Sequence, residues 1–479
     1  MRRRHLVGAV LAVSSAVLLA AACSTTLQGT PVSVFADPFR VAGMPATDGP
    51  TGLRPDPPEP TRKVKGTDGG DIDELARQAV SDIEEFWNGV YSESFGGEFR
   101  RAKALISWDA NGFDSIVFCG GDTYRLVNAA FCHDDRTIGW DRGELLPGLQ
   151  RKYGDMGVTM VLAHEYGHAV QRQAKMAGDA TPTLVAEQQA DCLAGAYMRW
   201  VAEDNSPRFS LSTGDGLNNV LAAVIAFRDP LMSEADPAAG SDEHGSAFER
   251  LSAFQFGFTD GASACASIDM REIGQRRGDL PVLLDEDETG EWEVSETSVR
   301  TIIAAMDLLF EPANPPVLSF AGADCPGTRP SPPVSFCPST NTIAVDLDGL
   351  TRMGTQDTTG GDELATGDNS AYSVLVSRYM QAVQHEHGGV ALDNAEAALR
   401  TACLTGVATT KLSKSVTTPD GNTVALTAGD VDEAVSGILT NGLVASDVNG
   451  ESVPSGFSRI DAFRVGVLGD QDRCFKRFS

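Results

Sequence analysis

Four blocks of this 479-residue sequence occur twice in the same order, and that repetition constrains the fold more than any other feature. Ala130-Phe131-Cys132, Thr137-Ile138 and Asp141 return as Ser335-Phe336-Cys337, Thr342-Ile343 and Asp346. Val161-Leu162, Tyr166 and Ala169-Val170-Gln171 return as Val374-Leu375, Tyr379 and Ala382-Val383-Gln384. Cys192-Leu193 and Gly195 return as Cys403-Leu404 and Gly406, and Phe248, Arg250, Ala253, Phe254, Gly257 and Cys265 return at one constant spacing as Phe457, Arg459, Ala462, Phe463, Gly466 and Cys474. Such colinearity predicts a tandem duplication, with one unit over 67–270, a linker over 271–295 and a second unit over 296–479.

The N-terminus predicts export. Arg2 to His5 form a basic start, Leu6 to Ala22 an apolar run, and Cys23 follows, a pattern similar to a bacterial lipoprotein signal, with residues 1–22 as signal peptide and Cys23 acylated. Ala20-Ala21-Ala22 also suits ordinary cleavage before an unmodified thiol. The chain has nine Cys, so setting Cys23 aside leaves an even set of eight, which in an exported protein points to four disulfides. Residues 23–66, with seven prolines between Ala36 and Gly66, read as a lipid-anchored tether on the outer face of a bacterial cell membrane. A formal charge of −28 argues against a nucleic-acid partner, because a field of that sign repels phosphate backbones.

The chemistry concentrates in Val161-Leu-Ala-His164-Glu165-Tyr166-Gly167-His168-Ala-Val-Gln171, within a helical pattern expected from about Asp155 to Ala177, capped by Asp155 and ended by Gly178. Residues four apart share a helix face, so His164 and His168 can reach one Zn²⁺. Glu165, next to the first ligand, is placed to act as general base on a water. A catalytic zinc needs a third protein ligand and an open position. A second helix, started by Thr181-Pro182, offers Glu187, and Asp191 one turn later can orient a ligating imidazole, His164 being the expected one.

HEYGHAVQ, EQQADCLAG and the later His244-Gly245 to Phe248-Glu249-Arg250 together resemble the bacterial neutral zinc metallopeptidases over roughly residues 75–268. The resemblance implies His164, His168 and Glu187 as ligands of one zinc ion, Glu165 as base, Asp191 behind the ligands, and a helix-dominated α+β fold of the zincin kind. Val224-Ile-Ala-Phe227-Arg228-Asp229-Pro230 stands where that family carries Gly-Asp-Asp.

Against His164, Glu165, His168, Glu187 and Asp191 the second copy has Ser377, Arg378, Gln381, Ala398 and Ala402. Residues kept in both copies then read as structural, which assigns Tyr166 and Arg250 to packing. His244, opposite Val453, becomes a candidate donor to the oxyanion of a tetrahedral intermediate. Matching cysteines predict the pairs Cys119–Cys132, Cys192–Cys265, Cys325–Cys337 and Cys403–Cys474, although sequence alone permits others. His133 is expected in a loop. The function expected is a zinc-dependent peptidase acting on cell-envelope or secreted proteins, with a protein partner for the second copy. Its rival is a non-catalytic envelope scaffold that keeps a zinc site.

Overall fold

The computed structural model describes residues 37–113, 116–233, 244–284, 290–322, 325–355 and 364–479. The expected signal peptide and Cys23 lie outside the described residues. Among the described residues, no helix is long and apolar enough to cross a membrane.

The fold is α+β with helices dominant, as expected. In the first half, β1 (Val64–Lys65) comes before α1 (Asp71–Phe95), and β2 (Ala104–Trp108), β3 (Ala129–Cys132) and β4 (Thr137–Asp141) follow it; the four strands form one sheet in the order β1-β2-β4-β3. β2 runs parallel to β4, and β3 pairs antiparallel with β4 at the sheet edge. There follow α2 (Leu145–Ala174), α3 (Thr183–Ala202), α4 (Asp215–Ala226), α5 (Ala247–Asp260) and α6 (Met270–Arg277). The second half runs α7 (Glu296–Phe310), β5 (Val317–Ser319), β6 (Val334–Cys337), β7 (Thr342–Val345), α8 (Leu347–Met353), α9 (Asp368–His387), α10 (Ala395–Leu412), α11 (Ala428–Thr440), α12 (Gly456–Val467) and α13 (Gln471–Arg477). β5 is parallel to β7, and β6 is antiparallel to it, the same arrangement as β2, β4 and β3.

The halves also pack alike in detail. α3 lies so close to α5 that a Cβ at Gly257 would overlap the Cys192 carbonyl, and a Cβ at Gly466 in α12 would overlap the Cys403 carbonyl of α10. Disulfides join Cys119 to Cys132, Cys192 to Cys265, Cys325 to Cys337 and Cys403 to Cys474. Tyr166 on α2 donates its hydroxyl to Glu84 on α1 at 2.9 Å, and Tyr379 on α9 donates to Asp307 on α7 at 2.6 Å.

Three expectations need correcting. Residues 37–66 are not a free stalk: Gly52–Leu53 pair with Phe209–Ser210, Leu53 N–H donates to Asp155 at 3.0 Å, and Val64–Lys65 extend the sheet beside β2. Proline cannot donate to a ladder, and this proline-rich stretch pairs in pieces of two residues. The region expected as a linker starts with α6, whose buried Arg276 donates to Gln188 at 2.8 Å and to the Glu249 carbonyl at 2.7 Å. The described residues, from 37 on, form one compact unit, in which the Phe258 and Phe457 rings lie 4.9 Å apart and Gln255 donates to the Phe457 carbonyl across the halves. Thirdly, α2 begins at Leu145 but is broken at Gly154, where φ is +72°, so that the segment carrying the histidines starts at Asp155 as expected and only its end and its cap differ. Asp155 sits at that break but spends its carboxylate on Leu53, and the helix ends when Lys175, not Gly178, turns left-handed.

Candidate metal centre

α2 and α3 cross where the histidine motif faces Glu187. His164 Nε2 lies 3.0 Å from Glu187 Oε2, and His168 Nε2 lies 3.4 Å from Glu187 Oε1. Zinc ligand atoms about 2.0–2.1 Å from the ion, at tetrahedral corners, stand ~3.3 Å apart. Each imidazole therefore stands close to a ligand–ligand separation from one oxygen of Glu187, and one atom from each of the three residues lies within 4.8 Å of the others, near enough to share one small divalent cation.

The outer nitrogens are fixed. His164 Nδ1 is 2.8 Å from Asp191 Oδ1, and His168 Nδ1 is 3.2 Å from Gln171 Oε1, so each ring gives its proton outward and turns Nε2 to the shared point. Asp191 is fully buried and is clasped by Arg250, Nε to Oδ2 at 2.8 Å and Nη2 to Oδ1 at 2.9 Å. Burial opposes charge on His164, but Asp191 and Glu187 outweigh it and lift the ring to about 10 in the absence of a metal. Burial likewise opposes ionisation of Glu187 and Asp191, yet the imidazoles, with Arg250 at Asp191, hold both carboxyls below their ordinary values.

Glu165 points at the sheet. Its Oε2 accepts the Phe131 N–H of edge strand β3 at 2.9 Å, and burial pushes its carboxyl above the usual range against the pull of both histidines. A cavity of about 550 Å³ opens in front of these groups, lined by Asn128, Phe131, His133, Glu165, Phe227 and His244 among others. Its described lining comes from residues 128–250, and none of the described residues of the second half is part of it.

His244 lies at this cavity as expected of a candidate donor. Its Nδ1 is 3.1 Å from Asp229 Oδ1, while Asp229 Oδ2 accepts the backbone N–H groups of His244 and Gly245 at 2.6 and 2.7 Å. The Asp229 hydrogen bond raises the basicity of His244, overcoming its partial burial. Asp229 was the acid in the segment that departs from the family pattern, and its only sequence signal is its place there. His133 occupies the expected loop but also lines the cavity, its ring 6.4 Å from that of His168. Tyr166 is structural as expected. Arg250 is not mere packing, because its guanidinium is committed to Asp191.

The corresponding place in the second half is filled. Arg378, at the position of Glu165, is fully buried and donates to the Val334 carbonyl at 2.9 Å, the Leu443 carbonyl at 3.0 Å and Ser446 Oγ at 3.1 Å. Gln381, at the position of His168, donates to the Ser446 and Asp447 carbonyls.

Residues 47–268 match a family described as "putative neutral zinc metallopeptidase". No curated protein and no solved structure matches the chain.

Proposed function

We propose that the chain, whose residues 47–268 match the family described as putative neutral zinc metallopeptidase, hydrolyses peptide bonds of cell-envelope or secreted proteins, with His164, His168 and Glu187 holding one zinc ion. The observation that carries this reading is the convergence of two Nε2 atoms and one carboxylate beside Glu165 at the floor of an open cavity. When bound, the zinc supplies a Lewis acid that acidifies water and polarises the scissile carbonyl.

The protein's own groups do the rest. Asp191 and Gln171 hold the two imidazoles in the tautomer that offers Nε2. The Glu165 carboxylate, tied by Oε2 to Phe131, takes the proton of the attacking water and returns it to the departing amine. Its raised basicity suits a group that must hold a proton between those two events. His244, steadied by Asp229, donates to the oxyanion.

The second half is a degenerate copy of the first, a reading supported by the shared strand arrangement, the paired disulfides and the two glycine contacts. It serves as a buttress: Asp432 on α11 accepts the N–H groups of Ala247 and Phe248, both at 3.0 Å, and so caps the helix that carries Arg250. Residues 1–22 and Cys23 are read as signal and lipid attachment site, which places the enzyme on the extracytoplasmic face of a bacterial membrane. Mass spectrometry of the N-terminal peptide tests that placement, and an unacylated Cys23 would refute it.

Glu165→Gln tests the catalytic reading. With zinc quantified, the variant keeps the metal and loses hydrolysis of casein or a peptide panel that the wild type cleaves. A zinc-loaded wild type that cleaves nothing in such a panel leaves the scaffold reading standing instead.

A further inference from the structure

Away from the histidines, the second half and the segment just before it carry four acidic side chains against one another. Glu291, Asp368 and Glu433 each bring a carboxylate oxygen within 4.8 Å of the others, and Asp430 bears electrostatically on both Asp368 and Glu433. Asp368, Asp430 and Glu433 are each at least nine-tenths buried. Among the described residues, no Lys or Arg forms an ion pair with any of these three.

Some of their oxygens have local work. Glu291 Oε2 accepts the Asp368 N–H at 3.1 Å, Glu433 Oε2 accepts the Asn369 N–H at 2.8 Å, and Asp430 Oδ2 caps α11 through Thr427. Asp368 Oδ2 accepts the Trp292 N–H. Asp368 Oδ1 is buried and accepts from no donor among the described residues, while the Asp368 carboxyl meets that of Asp430. A buried carboxylate oxygen left bare costs free energy, and several carboxylates together in a low-dielectric pocket require either shared protons or a cation.

The surroundings give a cation a way in. The cluster lies between two cavities, of about 270 and 510 Å³, which share Glu291 and Asp430, with Glu433 on the smaller and Asp368 on the larger. All the donors are oxygens, which select a hard ion and disfavour zinc. Oxygens clustered from three chain segments, with backbone carbonyls and water able to complete six to eight ligands, suit calcium better than the strict octahedron of magnesium.

We propose that Glu291, Asp368 and Glu433, with Asp430 beside them, bind one calcium ion where the starts of α9 and α11 meet the segment at Glu291. This second site is separate from the peptidase centre, joins the starts of α9 and α11 to the segment before α7 and stands whether or not the chain is a peptidase. Burial and mutual repulsion push Asp368 up to about 8 and Glu433 to about 9, so a cation that binds here displaces protons.

Terbium replaces calcium and emits when a nearby tryptophan is excited; Trp292 donates its backbone N–H to Asp368 and lies 5.8 Å from the Tyr372 ring. The full chain, loaded with zinc so that the histidine site is filled, is titrated with Tb³⁺ and then Ca²⁺. The expected result is emission that saturates at one equivalent and is displaced by Ca²⁺, together with a rise in Tm of several degrees in Ca²⁺. Asp368→Asn and Glu433→Gln should abolish both responses, while Glu165→Gln keeps them and so separates this site from the peptidase reading. Should the cluster variants fail to fold, Trp292→Phe should lose the emission and keep the Ca²⁺-dependent Tm rise. Folded wild type that shows neither response, or the same responses in Asp368→Asn, overturns the proposal and leaves the carboxyls held by protons.

Discussion

Arg250 and Asp191 form a two-pronged buried ion pair, and the Asp191 Oδ1 that accepts from Arg250 also faces His164 Nδ1 at 2.8 Å. One guanidinium therefore fixes the carboxylate that fixes the imidazole. Asp191→Asn is expected to weaken zinc binding by about 10- to 100-fold, the usual effect of losing a partner behind a metal ligand. Competition with a chromophoric chelator measures this, and unchanged affinity would show that His164 needs no such support.

Arg250→Ala strands a buried carboxylate, for which a loss of roughly 3–5 kcal/mol is typical. The expected outcome is a lowered urea midpoint. Arg250→Lys should recover part of the stability but not the two-point clasp, since an ammonium cannot match the guanidinium fork.

Asp432 caps α5 from the other half of the chain. Asp432→Ala should cost about 1–2 kcal/mol of stability, the range for a helix N-cap. Chemical denaturation followed by tryptophan fluorescence reads the loss, and a larger effect on zinc affinity than on unfolding would mean that the cap acts mainly through Arg250.

The Cys192–Cys265 bridge closes a sequence separation of 73 residues and ties the Glu187 helix to the end of the first half. By chain entropy its removal as Cys192→Ser with Cys265→Ser costs about 4 kcal/mol. Thermal unfolding of the double variant against wild type tests that figure.

Asp82 gives a pH signature remote from the metal centre. Burial lifts its carboxyl from 3.8 to about 6, against hydrogen bonds from Tyr197 and Ser206 and the nearby Arg208, while Glu85 adds to the rise. The native state then keeps a proton that the unfolded chain has lost. The stabilisation is complete below about pH 4 and disappears as pH climbs through 6, a change of roughly 3 kcal/mol. Asp82→Asn should flatten that part of the stability profile between pH 4 and 7, and an unaltered slope would contradict the assignment.

What could be read in the sequence was what helical periodicity or repetition encodes. Four-residue spacing put His164 and His168 on one face, and the next helix brought Glu187 and Asp191 to meet them at 3.0 and 2.8 Å from His164. The four cysteine pairs followed from matching positions. Arg250 misled because Arg459, its counterpart, persists for a different partner set: it donates to the Leu439 and Val453 carbonyls. Shared identity did not mean shared contact. Asp432 lies 185 residues from the helix it caps, a relation that no local pattern carries. The proline-rich stretch after residue 36 read as a stalk on composition, but pairing with β2 and with Phe209–Ser210 is a tertiary matter.

Zinc K-edge X-ray absorption on the purified protein tests the central claim most directly. The expected result is one zinc per chain with two imidazole nitrogens and a carboxylate oxygen at about 2.0–2.2 Å, no sulfur, and the same spectrum in Glu165→Gln. A sulfur ligand, a single imidazole, or the absence of stoichiometric zinc from folded protein supplied with the metal would contradict it.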